Sequence, residues 1–258
     1  MANTNRGEFV WHEHLTKDPK AAIAFYTETV GWTTQPFEQN KDYVMWVGKQ
    51  GPIGGVMRLE DEAAKKGMPP HWMGDVQVAN VDATVDKVKK LGGKIYHEPT
   101  DIPTVGRFAV IADPQGAVLA IFTPKGDMPA HDPSKEGEFC WNELMTTDSA
   151  AAFKFYSEIF GWKIIQEMDM GAMGTYRVFG LGDKQLGGMM NMPKGMSMPP
   201  SWIYYAETND LEAAIGRATK KGGKVMNGPM DVPGGGRIAQ LTDPQGAMFA
   251  LHQAPKKA

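Results

Sequence analysis

Apolar and polar residues alternate over positions 8–15, the period expected of a β-strand with one buried face. Asp18 and Pro19 follow as a helix N-cap and a first helical position. An alanine-rich run continues this helix, and Gly31 marks its end. The segments after Gly31 predict three more strands, at 32–37, 42–47 and 53–58.

The pattern starts again with a strand predicted at 71–79. Val81, Val85 and Val88 then recur at helical spacing, and Gly92 follows as a residue type common just beyond a helix end. Each half of the chain therefore reads as two βαβββ units, and the fold class is α+β. The last three strands of the first half are predicted near 94–98, 106–112 and 117–122.

A second copy of the whole pattern begins near residue 137, because residues of the first half recur 130 positions later, as Phe9 and Phe139 do (139 − 9 = 130). A period this long indicates a duplicated domain, since solenoid repeats are much shorter. We predict a first domain at 7–125, a polar linker at 126–136 and a second domain at 137–254. Further recurring residues are Trp11, Glu13, Phe25, Tyr26, Trp32, Trp72 and Arg107, matched by Trp141, Glu143, Phe155, Tyr156, Trp162, Trp202 and Arg237.

Three motifs carry a family resemblance: the helix that ends in Gly31-Trp32, the helix that ends in Gly92-Gly93, and the Asp113-Pro114-Gln115-Gly116 turn before the last strand. All three lie at matching places in both copies. In their order and spacing, the sequence resembles the vicinal oxygen chelate superfamily, which includes glyoxalase I, bleomycin-resistance proteins and extradiol dioxygenases. The resemblance implies paired βαβββ units that form a curved mixed β-sheet around a cavity, in a tandem two-domain glyoxalase-like protein.

Metal enzymes of this family hold one divalent ion with His and Glu side chains from the first, fourth, restarted and last strands. Counted from the matched motifs, three of these positions fall at Trp11, Met73 and Ala120. The fourth strand offers no donor before Glu60. We therefore expect no metal cofactor, and a divalent metal is the alternative. The twin positions in the second copy are Trp141, Ile203 and Ala250.

An apolar and aromatic lining is predicted where the metal ligands would lie. Strand alternation points Trp11, Met73, Ala120 and Phe122 inward in the first copy. Such a lining is typical of a pocket for an organic ligand. Bleomycin-resistance proteins are a metal-free precedent in the family, since they bind and sequester. The corresponding residues of the second copy are Trp141, Ile203, Ala250 and His252.

Charged residues found in both copies are the polar candidates for this cavity. Glu13 and Glu143 could orient a cationic or hydroxylated ligand, act as a general base if the pKa is raised, or form a structural salt bridge. Arg107 and Arg237 could bind a carboxylate or phosphate through a bidentate fork. The interpretation that we favour for both arginines is an ion pair with Glu13 and Glu143 inside each domain.

The histidines differ between the copies. His12 and His14 share one strand face and are the remaining candidates for a metal site, although Asn142 and Leu144 replace them in the second copy. His252 has the inward-facing parity and is a candidate ligand contact. A structural role is the competing interpretation for all three histidines.

Composition excludes some classes of partner. A net charge of −3, with Lys and Arg spread along the chain, excludes the clustered basic surface of a nucleic-acid-binding protein. The single cysteine, Cys140, has no intramolecular disulfide partner, and we interpret it as a small buried hydrophobe. Because we find no apolar run typical of a signal peptide or a membrane helix, we predict a cytoplasmic protein.

Two functional hypotheses remain. The first is a metal-free protein that binds or sequesters a small organic ligand. The second is a metal-dependent lyase, isomerase or dioxygenase with His12 or His14 and Glu13 or Glu60 as ligands. A pure interaction module is a weaker third. We expect a small-molecule ligand, neither nucleic acid nor membrane as a partner, and a monomer, with a homodimer as the alternative.

Overall fold

A computed structural model of the chain describes residues 5–60, 64–65, 67–193, 195 and 198–255. Helices of ten or more residues in this part are α1 (Pro19–Thr29), α2 (Val81–Lys90), α3 (Ser149–Phe160) and α4 (Leu211–Lys220). The strands of the first half are β1 (Phe9–Thr16), β2 (Thr33–Pro36), β3 (Tyr43–Gly48), β4 (Gly51–Arg58), β5 (His71–Gln77), β6 (Lys94–Ile102), β7 (Gly106–Ala112) and β8 (Val118–Pro124). Those of the second half are β9 (Phe139–Thr146), β10 (Lys163–Asp169), β11 (Thr175–Leu181), β12 (Lys184–Asn191), β13 (Ser201–Glu207), β14 (Lys224–Asp231), β15 (Arg237–Thr242) and β16 (Met248–Gln253).

These strands form two mixed eight-stranded sheets, which confirms the α+β class. The first sheet has the order β2-β3-β4-β1-β5-β8-β7-β6, and the second repeats it as β10-β11-β12-β9-β13-β16-β15-β14. Neither sheet closes into a barrel. Within each half, β1 and β9 pair in parallel with β4 and β12, whereas the hairpins are antiparallel.

Contacts between Cα atoms divide the chain into two compact units, each of which combines segments of both sequence halves. The first unit contains the residues up to Val10, Met73–Pro129 and Trp141–Trp202. The second unit contains Trp11–Trp72, Ala130–Cys140 and the residues from Ile203 onward. The domain boundaries at 7–125 and 137–254 stay a prediction.

Local signals explain where the elements begin and end. The Asp18 carboxylate accepts a hydrogen bond from the backbone N–H of Ala21 (3.1 Å), and Pro19 opens α1 as predicted. In the turn before β8, Asp113 Oδ1 accepts from the N–H groups of Gly116 and Ala117 at 2.7 and 2.9 Å. The strand predicted at 94–98 was too short, since β6 continues to Ile102. In the described residues we find no helix with the length and apolar character needed to span a bilayer.

Aromatic rings form the core of the second unit. Tyr26 of α1 is fully buried, and its hydroxyl accepts from Trp72 Nε1 (2.9 Å) and donates to Asp243 Oδ2 (3.3 Å). His14 stacks on Trp72 with ring centroids 4.6 Å apart, and His12 stacks on Phe139 at 3.7 Å. Burial among these rings lowers the pKa of His14, although Asp243 opposes the effect.

The first unit has the equivalent core around Tyr156 of α3. Trp202 Nε1 donates to the Tyr156 hydroxyl at 3.3 Å, and Trp162 packs against Tyr156 with centroids 5.5 Å apart. The Trp162 N–H donates to the carbonyl of Gly7 at 2.6 Å. The duplicated tryptophans and tyrosines therefore anchor helices to sheets in both units.

Candidate functional site

A hydrogen-bonded set of three side chains, Trp11, Tyr43 and Glu13, lies in the second unit. Trp11 Nε1 donates to the Tyr43 hydroxyl (2.8 Å), and that hydroxyl donates to Glu13 Oε1 (2.7 Å). Trp11 and Glu13 come from β1 and Tyr43 from β3, the strands on either side of β4. We call this arrangement the Trp–Tyr–Glu set.

Gly55 of β4 makes this arrangement possible. It is the register partner of Glu13 in β1 and of Met45 in β3, and therefore lies beneath the set. A Cβ atom at Gly55 would lie 1.9 Å from the Tyr43 hydroxyl oxygen and 2.7 Å from Glu13 Oε2. Only glycine lets the tyrosine hydroxyl cross the strand and reach the carboxylate.

Glu13 is the titratable centre of the set. Burial raises the pKa of its carboxyl to about 7, against smaller opposing effects of the hydrogen bonds from Tyr43 and Trp11. Its second oxygen, Oε2, is buried and has no hydrogen-bond partner among the described residues. The carboxyl group is therefore held in place through Oε1, while Oε2 lies over Gly55 without a hydrogen-bond partner among the described residues.

The first unit contains the same set in Trp141, Tyr176 and Glu143. Trp141 Nε1 donates to the Tyr176 hydroxyl (3.0 Å), which donates to Glu143 Oε2 (2.8 Å). Gly188 takes the place of Gly55, since a Cβ there would lie 2.0 Å from the Tyr176 hydroxyl oxygen. Burial and the nearby Glu143 carboxylate raise the pKa of Tyr176 well above its usual range.

Sequence reasoning missed both tyrosines and both glycines, although it proposed the glutamates and tryptophans. The reason is a change in the offset between the copies. Tyr43 matches Tyr176 and Gly55 matches Gly188 at an offset of 133, whereas the flanking motifs repeat at 130. A search for repeats that allowed a three-residue insertion between β2 and β3 would have paired them.

A second polar cluster lies in the second unit and consists of Cys140, Glu207 and His252. Glu207 ends β13 and is the register partner of His252 in the parallel strand β16. His252 Nδ1 lies 2.5 Å from Glu207 Oε2, and the other oxygen, Oε1, accepts from the backbone N–H of Ala254 (2.9 Å). The Cys140 thiol, at the start of β9, donates to the carbonyl of Tyr205 (3.4 Å). Burial raises the pKa of Cys140 well above its usual range, and Glu207 adds to the effect.

The positions that the family resemblance assigns to metal ligands do not offer a donor set for an ion here. Trp11 engages its only polar atom as a donor, and Met73 and Ala120 are buried without a nitrogen or oxygen to offer. The strand β4 presents Gly54 and Gly55 beside β1, and neither residue has a side chain that could bind an ion. The residues predicted to line a cavity fall into different units. In the first copy, the first unit contains Met73, Ala120 and Phe122, and the second unit contains Trp11. In the second copy, the first unit contains Trp141, and the second unit contains Ile203, Ala250 and His252.

His12 and His14 share one strand face, as the spacing predicted, but this face packs into the aromatic core. His14 is fully buried, and its Nε2 lies 3.4 Å from Asp243 Oδ2. Among the described residues, the one group of three His, Cys, Asp or Glu side chains close enough to share an ion is Cys140, Glu207 and His252.

The expected pairing of the arginines with Glu13 and Glu143 is wrong. Arg107 forms a two-pronged ion pair with Asp82, at 2.8 Å for each hydrogen bond, and also contacts Asp101 (3.1 Å). Arg237 pairs with Glu212 at 2.9 Å. The helices α2 and α4 present Asp82 and Glu212 in their first turns, where acidic residues are favoured, so the nearest carboxylates are local.

Comparisons with known proteins identify the family to which this fold belongs. The model of the Glyoxalase/Bleomycin resistance protein/Dioxygenase superfamily matches residues 11–121 and again 141–251. The chain belongs to this superfamily. "Putative glyoxylase CFP32" of Mycobacterium tuberculosis is 34% identical over 250 residues, which cover 96% of this chain and 95% of that protein. "Anthracycline biosynthesis protein DnrV" of Streptomyces peucetius is 30% identical over 259 residues, covering 95% and 92%.

Solved structures of superfamily members share the fold. A Mn(II)-bound glyoxalase from Novosphingobium aromaticivorans has a TM-score of 0.67 at 16% identity, covering 96% of this chain and 82% of that one. The 2,2',3-trihydroxybiphenyl 1,2-dioxygenase of Sphingomonas wittichii has a TM-score of 0.68 at 10% identity, covering 96% and 91%. The glyoxalase from Novosphingobium aromaticivorans is Mn(II)-bound, whereas Trp11, Met73 and Ala120 of this chain offer no side-chain nitrogen or oxygen that could accept an ion.

Proposed function

We propose that this superfamily member binds a small planar aromatic ligand through its Trp–Tyr–Glu sets, without a metal at the family's ligand positions. The observation that carries the proposal is Glu13 Oε2, a buried carboxyl oxygen without a hydrogen-bond partner among the described residues. Leaving such an atom unpaired costs about 1–3 kcal/mol. A ligand that supplies the missing hydrogen bond recovers that free energy, and this favours binding.

The chemistry of the set supports recognition of hydroxyl and carbonyl groups. With a pKa of about 7, the Glu13 carboxyl is present in both protonation states near neutral pH. As a carboxylate it accepts from a ligand hydroxyl, and as a carboxylic acid it donates to a ligand carbonyl. Tyr43 keeps Oε1 occupied, so Oε2 is the oxygen that remains for a hydrogen bond with a ligand.

The ligand class is suggested by a relative. DnrV is named for anthracycline biosynthesis, and anthracyclines are polycyclic aromatics that carry hydroxyl and carbonyl groups. The indole ring of Trp11 beside Glu13 suits stacking with such a ring system. We therefore infer a polycyclic aromatic ligand for this chain.

Proton transfer on the bound ligand is a second candidate function. It is favoured by the Glu13 pKa of about 7, since a general acid or base works best when its pKa lies near the operating pH. In this case the Glu13 carboxylate would take a proton from an acidic position of the ligand. Incubation in D₂O would then place deuterium in the ligand, which mass spectrometry of the recovered ligand detects.

The direct test titrates chelator-treated protein with a dihydroxyanthraquinone and follows tryptophan fluorescence. We expect saturable quenching, and a Kd at least roughly tenfold higher for Glu13→Gln, because a hydrogen bond to a charged group contributes about 1.5–3 kcal/mol. Glu143→Gln reports on the other set. Glu60→Gln, which changes an exposed carboxylate after β4, is the matched control and should bind like the unchanged protein.

Two results would contradict the proposal. One is binding that disappears on chelation and returns with Mn²⁺, which would place a metal in the ligand site. The other is an unchanged Kd in both Glu13→Gln and Glu143→Gln, which would remove the Trp–Tyr–Glu sets from recognition.

A further inference from the structure

The Cys140–Glu207–His252 cluster brings together three ligand types from three strands of the second sheet. The hydrogen bond from the Cys140 thiol to the Tyr205 carbonyl seats the thiol two residues before Glu207 on the neighbouring strand β13. Glu207 and His252 are register partners in β13 and β16, so their side chains point to the same side of the sheet. The β13–β16 register and the hydrogen bond of Cys140 together bring a sulfur, an oxygen and a nitrogen close to one another.

The distances suit one shared ion. The Cys140 Sγ, a Glu207 carboxylate oxygen and a His252 ring nitrogen all lie within 4.8 Å of one another. Zinc holds such donors at about 2.0–2.3 Å, which places tetrahedral ligands roughly 3.3–3.8 Å apart. Small side-chain rotations of Cys140 and His252 therefore bring all three into one coordination shell.

Neighbouring groups hold the cluster in position. The N–H of Ala254 binds Glu207 Oε1 and turns Oε2 toward His252, as an outer hydrogen bond does for a metal-binding carboxylate. A Cβ atom at Gly236 would lie 2.6 Å from His252 Nε2, so that glycine makes room for the imidazole. Glu207 is buried, whereas the His252 side chain is 25% exposed, which opens the cluster to solvent on one side.

The donor chemistry selects the ion. Thiolate and imidazole favour Zn²⁺, Fe²⁺, Co²⁺ and Ni²⁺, whereas Mg²⁺ and Ca²⁺ prefer oxygen ligands alone. A bound cation also favours the thiolate of Cys140 over the thiol, because a coordinated thiol loses its proton. Three protein ligands leave a fourth position open, the composition of a metal site that can bind a further small molecule.

We propose that Cys140, Glu207 and His252 bind one thiophilic divalent metal ion of the zinc class. The site uses the same three strands as the positions that the resemblance assigns to metal ligands, Trp141, Ile203 and Ala250, but other residues of each strand. It exists in one copy only, because Val10, Gln77 and Phe122 occupy the twin positions of the first half. The proposal does not depend on the aromatic ligand.

Cobalt(II) is the probe that tests the site, because a thiolate bound to Co²⁺ gives a charge-transfer absorption band in the near ultraviolet. Chelator-treated, reduced protein is titrated with Co²⁺ alone. We expect one equivalent to develop the band, Cys140→Ser to abolish it, and Zn²⁺ to displace it. The band should be equally strong in Glu13→Gln, which separates this site from the Trp–Tyr–Glu set.

Two further variants establish the other ligands. His252→Phe installs the residue of the first copy, and Glu207→Gln keeps the shape of the side chain; each should weaken Co²⁺ binding at least roughly tenfold. The matched control is His71→Ser, which also installs the residue of the other copy, and should bind Co²⁺ unchanged. Circular dichroism confirms that each variant is folded.

The proposal is overturned if no charge-transfer band develops or if the band persists in Cys140→Ser. It is also overturned if folded His252→Phe and Glu207→Gln both bind Co²⁺ as tightly as the unchanged protein.

Discussion

Both copies are built from two βαβββ units, but they differ in the polar clusters that they contain. Both contain a Trp–Tyr–Glu set over a glycine, with hydrogen bonds of 2.7–2.8 Å around Tyr43 and 2.8–3.0 Å around Tyr176. The Cys140–Glu207–His252 cluster has no counterpart in the first copy. The first copy has Val10, Gln77 and Phe122 at the three equivalent positions, so the Trp–Tyr–Glu set is common to both copies and the cluster is particular to the second.

The largest expected effect concerns the protonation of Glu13. Its carboxyl has a raised pKa in the folded protein, about 7 against 4.5, so the unfolded chain loses the proton first as the pH rises. Stability therefore falls between pH 4.5 and 7, by about 3 kcal/mol in total, and stays low above that window. A glutamine at this position cannot ionise, so Glu13→Gln does not lose stability in this way. The free energy of unfolding of the variant minus that of the unchanged protein should therefore increase by about 3 kcal/mol between a pH below 4.5 and pH 8.

Urea denaturation at a series of pH values measures this difference. A difference that stays constant with pH would show that Glu13 is ionised as easily in the folded as in the unfolded chain.

The next effect comes from the glycine beneath each tyrosine. Gly55→Ala forces the Tyr43 hydroxyl away from a Cβ atom that would lie 1.9 Å from it, and Gly188→Ala does the same to Tyr176. Overpacking of this kind costs about 1–3 kcal/mol, so both variants should lower the free energy of unfolding by about 2 kcal/mol.

Gly216→Ala is the control for this comparison, since open space surrounds Gly216 in α4 and the change should stabilise the helix by about 0.5–1 kcal/mol. If Gly55→Ala were as stable as the unchanged protein, the close approach of Tyr43 to the strand would be refuted.

Removal of each hydroxyl has a smaller effect. Tyr43→Phe and Tyr176→Phe each leave a tryptophan N–H and a glutamate oxygen without their partner, at a cost of about 1–2 kcal/mol. Equal costs in thermal or urea unfolding would support equivalent sets. A loss of stability in one variant alone would show that the two sets are not equivalent.

The smallest expected effect is that of Arg107→Gln. Asp82 and Asp101 engage three of the N–H groups of the Arg107 guanidinium, so this side chain is already held by acidic partners. We expect the Kd for the dihydroxyanthraquinone to change by less than about twofold, as for other exposed ion pairs. A tenfold weaker Kd would show that Arg107 leaves its acidic partners to contact the ligand.

Sequence patterns were sufficient for the fold because the relevant signals are local. The Asp18 cap, the Asp113 turn and the helical spacing of Val81 and Val85 each act within a few residues, and the superfamily resemblance is confirmed by the family match. Patterns were insufficient where a partner lies on a distant strand. Its recurrence in both copies identified Glu13 as a candidate but said nothing of Tyr43.

Cys140 shows the same limit. It was interpreted as a small buried hydrophobe because no motif lies near it in the sequence, whereas the structure leaves it half-buried beside two polar side chains. Glu207 and His252 approach it only through the register of three strands that are far apart in the chain. The prediction for the two arginines failed for the opposite reason. Their partner is close by, because the adjacent helix presents a carboxylate, whereas the prediction chose a glutamate on another strand.

The shift in repeat offset from 130 to 133 and back is a record of how the duplicated halves diverged. Three residues were gained before Tyr176 or lost before Tyr43, and three were lost or gained again before the paired prolines at Pro69 and Pro199. The short helical turn Gly171–Met173 occupies the longer segment. The segment between β2 and β3 differs in length from its counterpart in the second copy, yet each tyrosine still meets its glycine, so this contact does not depend on the spacing of the chain.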